Sequence, residues 1–188
     1  MILSTLAHWC DAHDRTRIIK DHQEPSADYL VRRYLLGGVR GKDGEIRHRW
    51  FGLCLHTILR SDADWLHDHP GPWASLILKG AYIEHTPKGA FVRRPGSFRF
   101  RSARARHRLE LPWGAVTTLF FFGPRTREWG FYSPGGKWIL WEHHLADMQA
   151  DKHDHNPYSG TCNKCGAYSD QCGSYQTNLC PAGVADAP

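Results

Sequence analysis

The chain of 188 residues has no apolar run approaching the roughly eighteen residues that a membrane-spanning helix needs. Its start, Met1-Ile2-Leu3-Ser4-Thr5-Leu6-Ala7, lacks both a basic cluster and a long apolar stretch, so it makes a poor secretory signal. These two absences set the expectation of a cytoplasmic protein with no membrane partner. Thiols stay reduced in that compartment, and the six cysteines read as ligands or buried thiols before disulfides. Internal repeats are missing. Helical periodicity is scarce as well. Residues 142–151 are the one good helical candidate, and residues 1–14 read as an N-terminal extension of weak periodicity.

What the chain does have is aromatic and strand-prone. Eight Trp, eight Phe and seven Tyr stand in a sequence that is 41% hydrophobic, which suits a globular fold rich in strands. The length fits one domain with an appendage. The formal charge is +5, and much of it sits in Arg93, Arg94, Arg99, Arg101, Arg104, Arg106 and Arg108. Such a run is either a solvated strand face or a basic stripe for anionic ligands or nucleic acid.

Strand signals recur along the middle of the chain. Residues 17–19 suit a short edge strand, and residues 27–36 a strand stopped by Gly37-Gly38. Residues 46–60 read as a long strand bulged at Gly52. Further strands are expected at 73–78, 81–86, 91–94, 97–111 (one bent strand or a pair), 116–122, 128–132 and 137–141. Short strands at this regular spacing predict an antiparallel sandwich or barrel.

The chemistry gathers at Leu66-His67-Asp68-His69-Pro70. Side chains two apart on a strand point the same way, so His67 and His69 would present two imidazoles about 6–7 Å apart on one face. Neutral imidazole suits Zn, Fe, Ni and Cu alike. Asp68 has the opposite parity and either caps the loop or orients a ligand. Glu84 and Tyr82 share a face on the following strand, where Glu84 is a candidate general base or displaced ligand. His48 and His56 share a parity on the long strand, and either one facing the cavity is a lesser candidate. Arg104, Arg106 and Arg108 take the parity opposite to His107 and should point outward. Arg127-Glu128 reads as a buried pair, followed by aromatics able to close one end of the barrel.

His67-x-His69, the strand ending in Gly80, Pro95-Gly96 and the later His107 together resemble the motifs of the cupins. The phrases Leu78-Lys79-Gly80-Ala81-Tyr82 and Arg127-Glu128-Trp129-Gly130-Phe131-Tyr132 are similar to a set of bacterial and phage cupins, a likeness that carries no activity. The resemblance implies an all-β antiparallel jelly-roll barrel, to which the chain's own pattern adds a short C-terminal helix and a small Cys-rich tail. It implies metal ligation by His67, His69 and His107. Counting along the family's first motif puts Trp73 where a Glu ligand is usual, and Ser102 and Arg104 stand where the second motif has Pro and Gly. Cupins with three histidines resemble the thiol dioxygenases and some ring-cleaving dioxygenases, which use ferrous iron. Without a carboxylate ligand the ion stays more positive and should attract an anionic substrate. The competing expectation is that Trp73 fills the position and leaves a metal-free binding pocket.

From Lys152 onward large apolar residues are few, and the segment needs a staple to fold. Cys162-Asn163-Lys164-Cys165-Gly166 has the form of a zinc knuckle. Cys172, Cys180 and His155 are alternatives for the remaining zinc ligands, and two disulfides or free thiols are the competing readings. The expected organisation is an N-terminal extension (1–14), a cupin barrel (15–145) and a zinc-stapled tail (146–188). The expected function is a metal-dependent cupin enzyme, Fe(II) dioxygenase-like, acting on a small polar or anionic molecule. The alternatives are an isomerase or epimerase without redox metal, and a non-catalytic binder of a nucleotide-like ligand or nucleic acid. The resemblance also implies a homodimer.

Overall fold

The computed structural model describes residues 2–146 apart from Gln23, Lys42 and Glu45. The chain divides into two units, Met1–Trp141 and Glu142–Pro188. The first opens with helix α1 (Ile2–Ala12) and edge strand β1 (Thr16–Lys20). Two long strands follow, β2 (Asp28–Arg40) and β3 (Ile46–Ile58), then the two-residue β4 (Leu66–His67). Next come β5 (Trp73–Lys79), β6 (Tyr82–Thr86), β7 (Gly89–Arg93), β8 (Phe98–Arg101) and β9 (Arg108–Glu110). The unit ends with β10 (Val116–Phe122), β11 (Gly130–Tyr132) and β12 (Trp138–Leu140). Residues 141–146 are helical. No helix among the described residues is long and apolar enough to cross a membrane.

Every strand pair is antiparallel. One sheet runs β1-β2-β3-β10-β5-β8, and two three-stranded sheets run β12-β11-β4 and β7-β6-β9. A bridge between His67 and His107 joins the two small sheets edge to edge. The order β3-β10-β5-β8 therefore packs against β4-β9-β6-β7, and that connectivity is the double Greek key of a jelly roll. The sequence expectation of an all-β jelly roll is met.

Burial alternates along the strands, as a two-sheet sandwich requires. On β5, Trp73, Ser75 and Ile77 are buried; on β10, Val116, Thr118 and Phe120. The register lines these up with Leu30, Arg32 and Tyr34 of β2 and Cys54, His56 and Ile58 of β3. Part of the interior is an apolar cluster, with Ile77, Tyr82 and Val116 packed against Leu109 and Leu111. Polar groups, described below, line the rest.

One local expectation changes, and two open readings are filled in. Gly37-Gly38 does not stop β2; the strand bulges there and runs on to Arg40. Gly37 has φ +76°, and a Cβ there would sit 2.1 Å from the Phe51 carbonyl oxygen, so the bulge fits only glycine. Residues 97–111 form two strands, β8 and β9, paired to different sheets. The N-terminal extension contains α1. Cys10, its one buried residue, donates a weak Sγ–H bond to Tyr34 O at 3.7 Å, and Ile2 and Trp9 stay exposed. With Cys10 alone fully buried and Asp11 held on the same helix by Arg33 of β2, no amphipathic period is visible there.

Candidate metal centre

His67 and His107 exchange both backbone hydrogen bonds, at 2.8 and 3.0 Å. Such directly opposed residues put their side chains on the same face. His69 lies past the end of β4 but stays extended, held by its N–H to Ala103 O at 3.0 Å. The three rings meet inside the sandwich, with centroids 4.9, 5.1 and 5.3 Å apart. One nitrogen from each lies within 4.8 Å of the others.

The donor set fits a divalent cation. His69 Nε2 and His107 Nε2 are 2.8 Å apart. With metal–nitrogen bonds of about 2.0–2.1 Å, that spacing corresponds to neighbouring ligands roughly 85–90° apart on one ion. Burial first, partly offset by Asp62, holds the His67 imidazole down at about 4. Burial and the neighbouring His107 and His67 push His69 well below its ordinary value. Neutral rings are what a metal requires.

The outer nitrogens of two rings face carboxylates. His67 Nδ1 is 3.7 Å from Asp62 Oδ2, and His107 Nδ1 is 3.5 Å from Glu84 Oε1. Neither contact is a closed hydrogen bond, and His107 Nδ1 has no other partner. Asp62 accepts the Tyr29 hydroxyl and the Leu109 N–H, which pins it against β9. Glu84 is 1% exposed and takes Arg93 Nε at 2.9 Å and Nη2 at 2.8 Å. Burial alone would raise its carboxyl, but His107, Arg93 and Arg101 outweigh burial and hold it at about 2. Carboxylates behind ligating histidines fix the ring orientation.

Asp68 does not cap a loop. It is fully buried, accepts the Gly130 N–H at 2.9 Å and the Tyr132 hydroxyl at 3.0 Å, and pairs with Arg127. The expected Arg127–Glu128 pair is replaced: Arg127 turns to Asp68, and Glu128 pairs with Arg125 on the surface. The arginine run also splits. Arg93 and Arg101 reach the buried Glu84, whereas Arg94, Arg104 and Arg106 are exposed and Arg106 lies 4.0 Å over the Tyr132 ring.

Trp73 forms a wall of the site. Its ring stacks on His107 at 4.9 Å and tilts against His69 at 5.0 Å, without separating the two. Phe120 continues that wall, 5.5 Å from Trp73. Tyr82 sits in the apolar cluster, its hydroxyl pushed up to about 12 by burial and then by Glu84. His56 is buried and stacked on Phe120 at 4.6 Å. The side chain of His48 lies outside the described residues, as do Cys162, Cys165, Cys172, Cys180 and His155 with the zinc expected there. Sequence reasoning passed over Asp62 and Arg32. Nothing separates Asp62 from Asp64 in the sequence, but Arg32 carries a readable signal: a charge in register with the inward Leu30 and Tyr34.

No family model matches the sequence, and no curated protein is similar to it. Among solved structures, an RmlC-like cupin protein from Ralstonia eutropha is similar at 14% identity and TM-score 0.44, over 74% of this chain and 83% of that one. Ectoine synthase from P. lautus is similar at 15% identity and TM-score 0.44, over 64% of this chain and 76% of that one. Fe(II)-HppE with an alternative substrate is similar at 17% identity and TM-score 0.41, over 58% of this chain and 56% of that one. Identities this low transfer no activity.

Proposed function

We propose that this protein is a metal-dependent enzyme of the Fe(II) dioxygenase type, acting on a small anionic molecule held between the two sheets. The observation that carries the reading is the meeting of His67, His69 and His107 in front of two buried carboxylates. His67, His69 and His107 would hold the ion. When bound, ferrous iron supplies the one-electron chemistry that allows dioxygen to react with an organic substrate. Three protein ligands leave coordination positions for substrate and oxygen.

The chain's own residues orient and shield. Asp62 and Glu84 stand behind the Nδ1 atoms of His67 and His107, at 3.7 and 3.5 Å, and would accept from them once an ion draws on the Nε2 atoms. Trp73, Phe120 and Phe131 exclude water from the substrate side. The isomerase alternative asks Glu84 to take a proton near neutral pH. A carboxyl held at about 2 and clamped by Arg93 is a weak base there, which favours the orienting role. Neither a nucleic-acid partner for the exposed arginines nor a homodimer is needed by this reading.

The test is metal analysis of protein purified without chelator, followed by oxygen uptake after iron loading. Wild type should carry one ion that His67→Ala and His107→Ala both lose, and the tail should keep its zinc in each variant. Retention of every ion in both variants would refute the assignment.

A further inference from the structure

The geometry points to Arg32 as the group that binds a carboxylate of the substrate, an assignment that rests on the three-histidine reading of the same cavity. Arg32 lies on β2 between the buried Leu30 and Tyr34 and faces inward, opposite His56 of β3. Its Nε donates to His56 Nε2 at 3.1 Å, and its guanidinium lies 4.5 Å over the Phe122 ring. Burial first, then the charge of Arg32, keeps the His56 imidazole neutral, as an acceptor at Nε2 must be. Two contacts thus fix the guanidinium plane before any ligand arrives.

An inward arginine ordinarily has an acid beside it. Among the described residues none is paired with Arg32. The buried carboxylates nearest the site are engaged elsewhere: Asp62 by Tyr29 and Leu109, Asp68 by Arg127 and Tyr132, Glu84 by Arg93. With Nε committed to His56, the Nη1–Nη2 edge remains, two parallel donors that match the two oxygens of a carboxylate. Thr118, the register partner of His56 on β10, adds a buried hydroxyl with no protein partner.

The same surface leads to the metal ligands. His56 stacks on Phe120, Phe120 on Trp73, and Trp73 on His107. Phe120 also lies 6.2 Å from the His69 ring, so the ring that carries His56 on one side borders the metal ligands on the other. A phosphate monoester carries close to two negative charges at neutral pH. Arg32 supplies one positive charge, and among the described residues this wall offers no second cationic side chain, which selects a carboxylate. The aromatic lining selects a flat, apolar body behind it.

Benzoate is therefore the probe, titrated into the full chain with tryptophan fluorescence as the readout and metal content measured in each sample. Wild type should bind benzoate saturably, while benzamide and inorganic phosphate should bind at least about tenfold more weakly. Arg32→Gln should weaken benzoate at least about tenfold, and Arg32→Lys, which keeps charge without the planar fork, should fall between. Thermal melts of both variants show that they fold, and the lysine variant alone decides the matter should the glutamine variant unfold. Benzoate affinity unmoved by either substitution, equal binding of benzamide, equal binding of phosphate, or no saturable binding would each overturn the assignment. Failure of the metal reading looks different: wild type without a barrel ion, yet with benzoate binding that still depends on Arg32.

Discussion

Asp68 offers the sharpest test of how the metal ligands are held. It stands between His67 and His69, and its side chain faces away from the cavity into a knot with β11. Asp68→Ala removes the acceptor for the buried Gly130 N–H, the Tyr132 hydroxyl and the Arg127 guanidinium. Breaking a buried ion pair from one side costs about 3–5 kcal/mol. Arg127 keeps 26% of its side chain exposed and can turn toward water, which places the expected loss near the lower bound, about 3 kcal/mol. Asp68→Asn keeps an acceptor for Gly130 and loses the charge, so about 1–2 kcal/mol is expected. The assay is urea unfolding of the full chain in excess chelator, paired with Co(II) titration of the folded protein. Strand β4 has two residues, and its cross-strand partners on β11 are Phe131 and Tyr132. Loosening it should cost ten- to a hundredfold in metal affinity, the range seen for groups that orient ligands. An Asp68→Ala loss below about 1 kcal/mol would refute the knot. Lost stability with unchanged Co(II) affinity would show that the knot stabilises the fold without setting the ligands.

Asp62→Asn should weaken Co(II) binding about tenfold or more, because it removes the carboxylate behind His67 Nδ1; unchanged affinity in the same titration would remove Asp62 from the site. His56 has a folded-state value well below 6.5, so only the unfolded chain takes up its proton in the range just under 6.5. Its contribution is complete above that value and is lost as pH falls toward the folded value, so stability should decline on acidification. Urea midpoints of His56→Gln should fall less steeply than wild type from pH 7 to pH 5 (about the range where an ordinary histidine titrates), and parallel slopes would contradict a buried neutral ring. Gly80→Ala should cost about 2 kcal/mol or more, since φ is +79° and a Cβ would meet Ala115 O at 2.6 Å; a loss under half of that in urea unfolding would mean the turn rebuilds.

The parts of this molecule legible in its sequence are those governed by a local period. Alternation and turn residues outlined most of the strands, and the His67-x-His69 spacing put two imidazoles on one face. The third imidazole needed pairing information. His107 meets His67 through a bridge across forty residues (107 minus 67), and nothing in Ser102-Ala103-Arg104-Ala105-Arg106 announces it except the resemblance. Pairings of charge were the least legible. Arg127 sits beside Glu128 in the chain, yet its partner is Asp68, fifty-nine residues away across the fold, while Glu128 turns to Arg125. Arg93 looked like one member of an outer stripe until the β6–β7 register placed it opposite Tyr82, on the face of Glu84.

The jelly roll divides the work between its two sheets, and this division follows from strand pairing. In the proposed reading metal ligation falls to the small-sheet side, where β4, β9 and β6 bring His67, His107 and Glu84 together through neighbouring registers. Recognition would fall to the large sheet, where β2, β3 and β10 align Arg32, His56 and Thr118 in one row. The apolar cluster of Ile77, Tyr82 and Val116 supplies burial directly beside the site, since Ile77 is the register partner of Thr118. Substitutions at Arg32 should then alter which acid binds while leaving the ion in place, whereas substitutions at His67 should remove the ion while leaving the fold. That separation is a property of two packed sheets with independent registers, and a single-sheet site could not provide it.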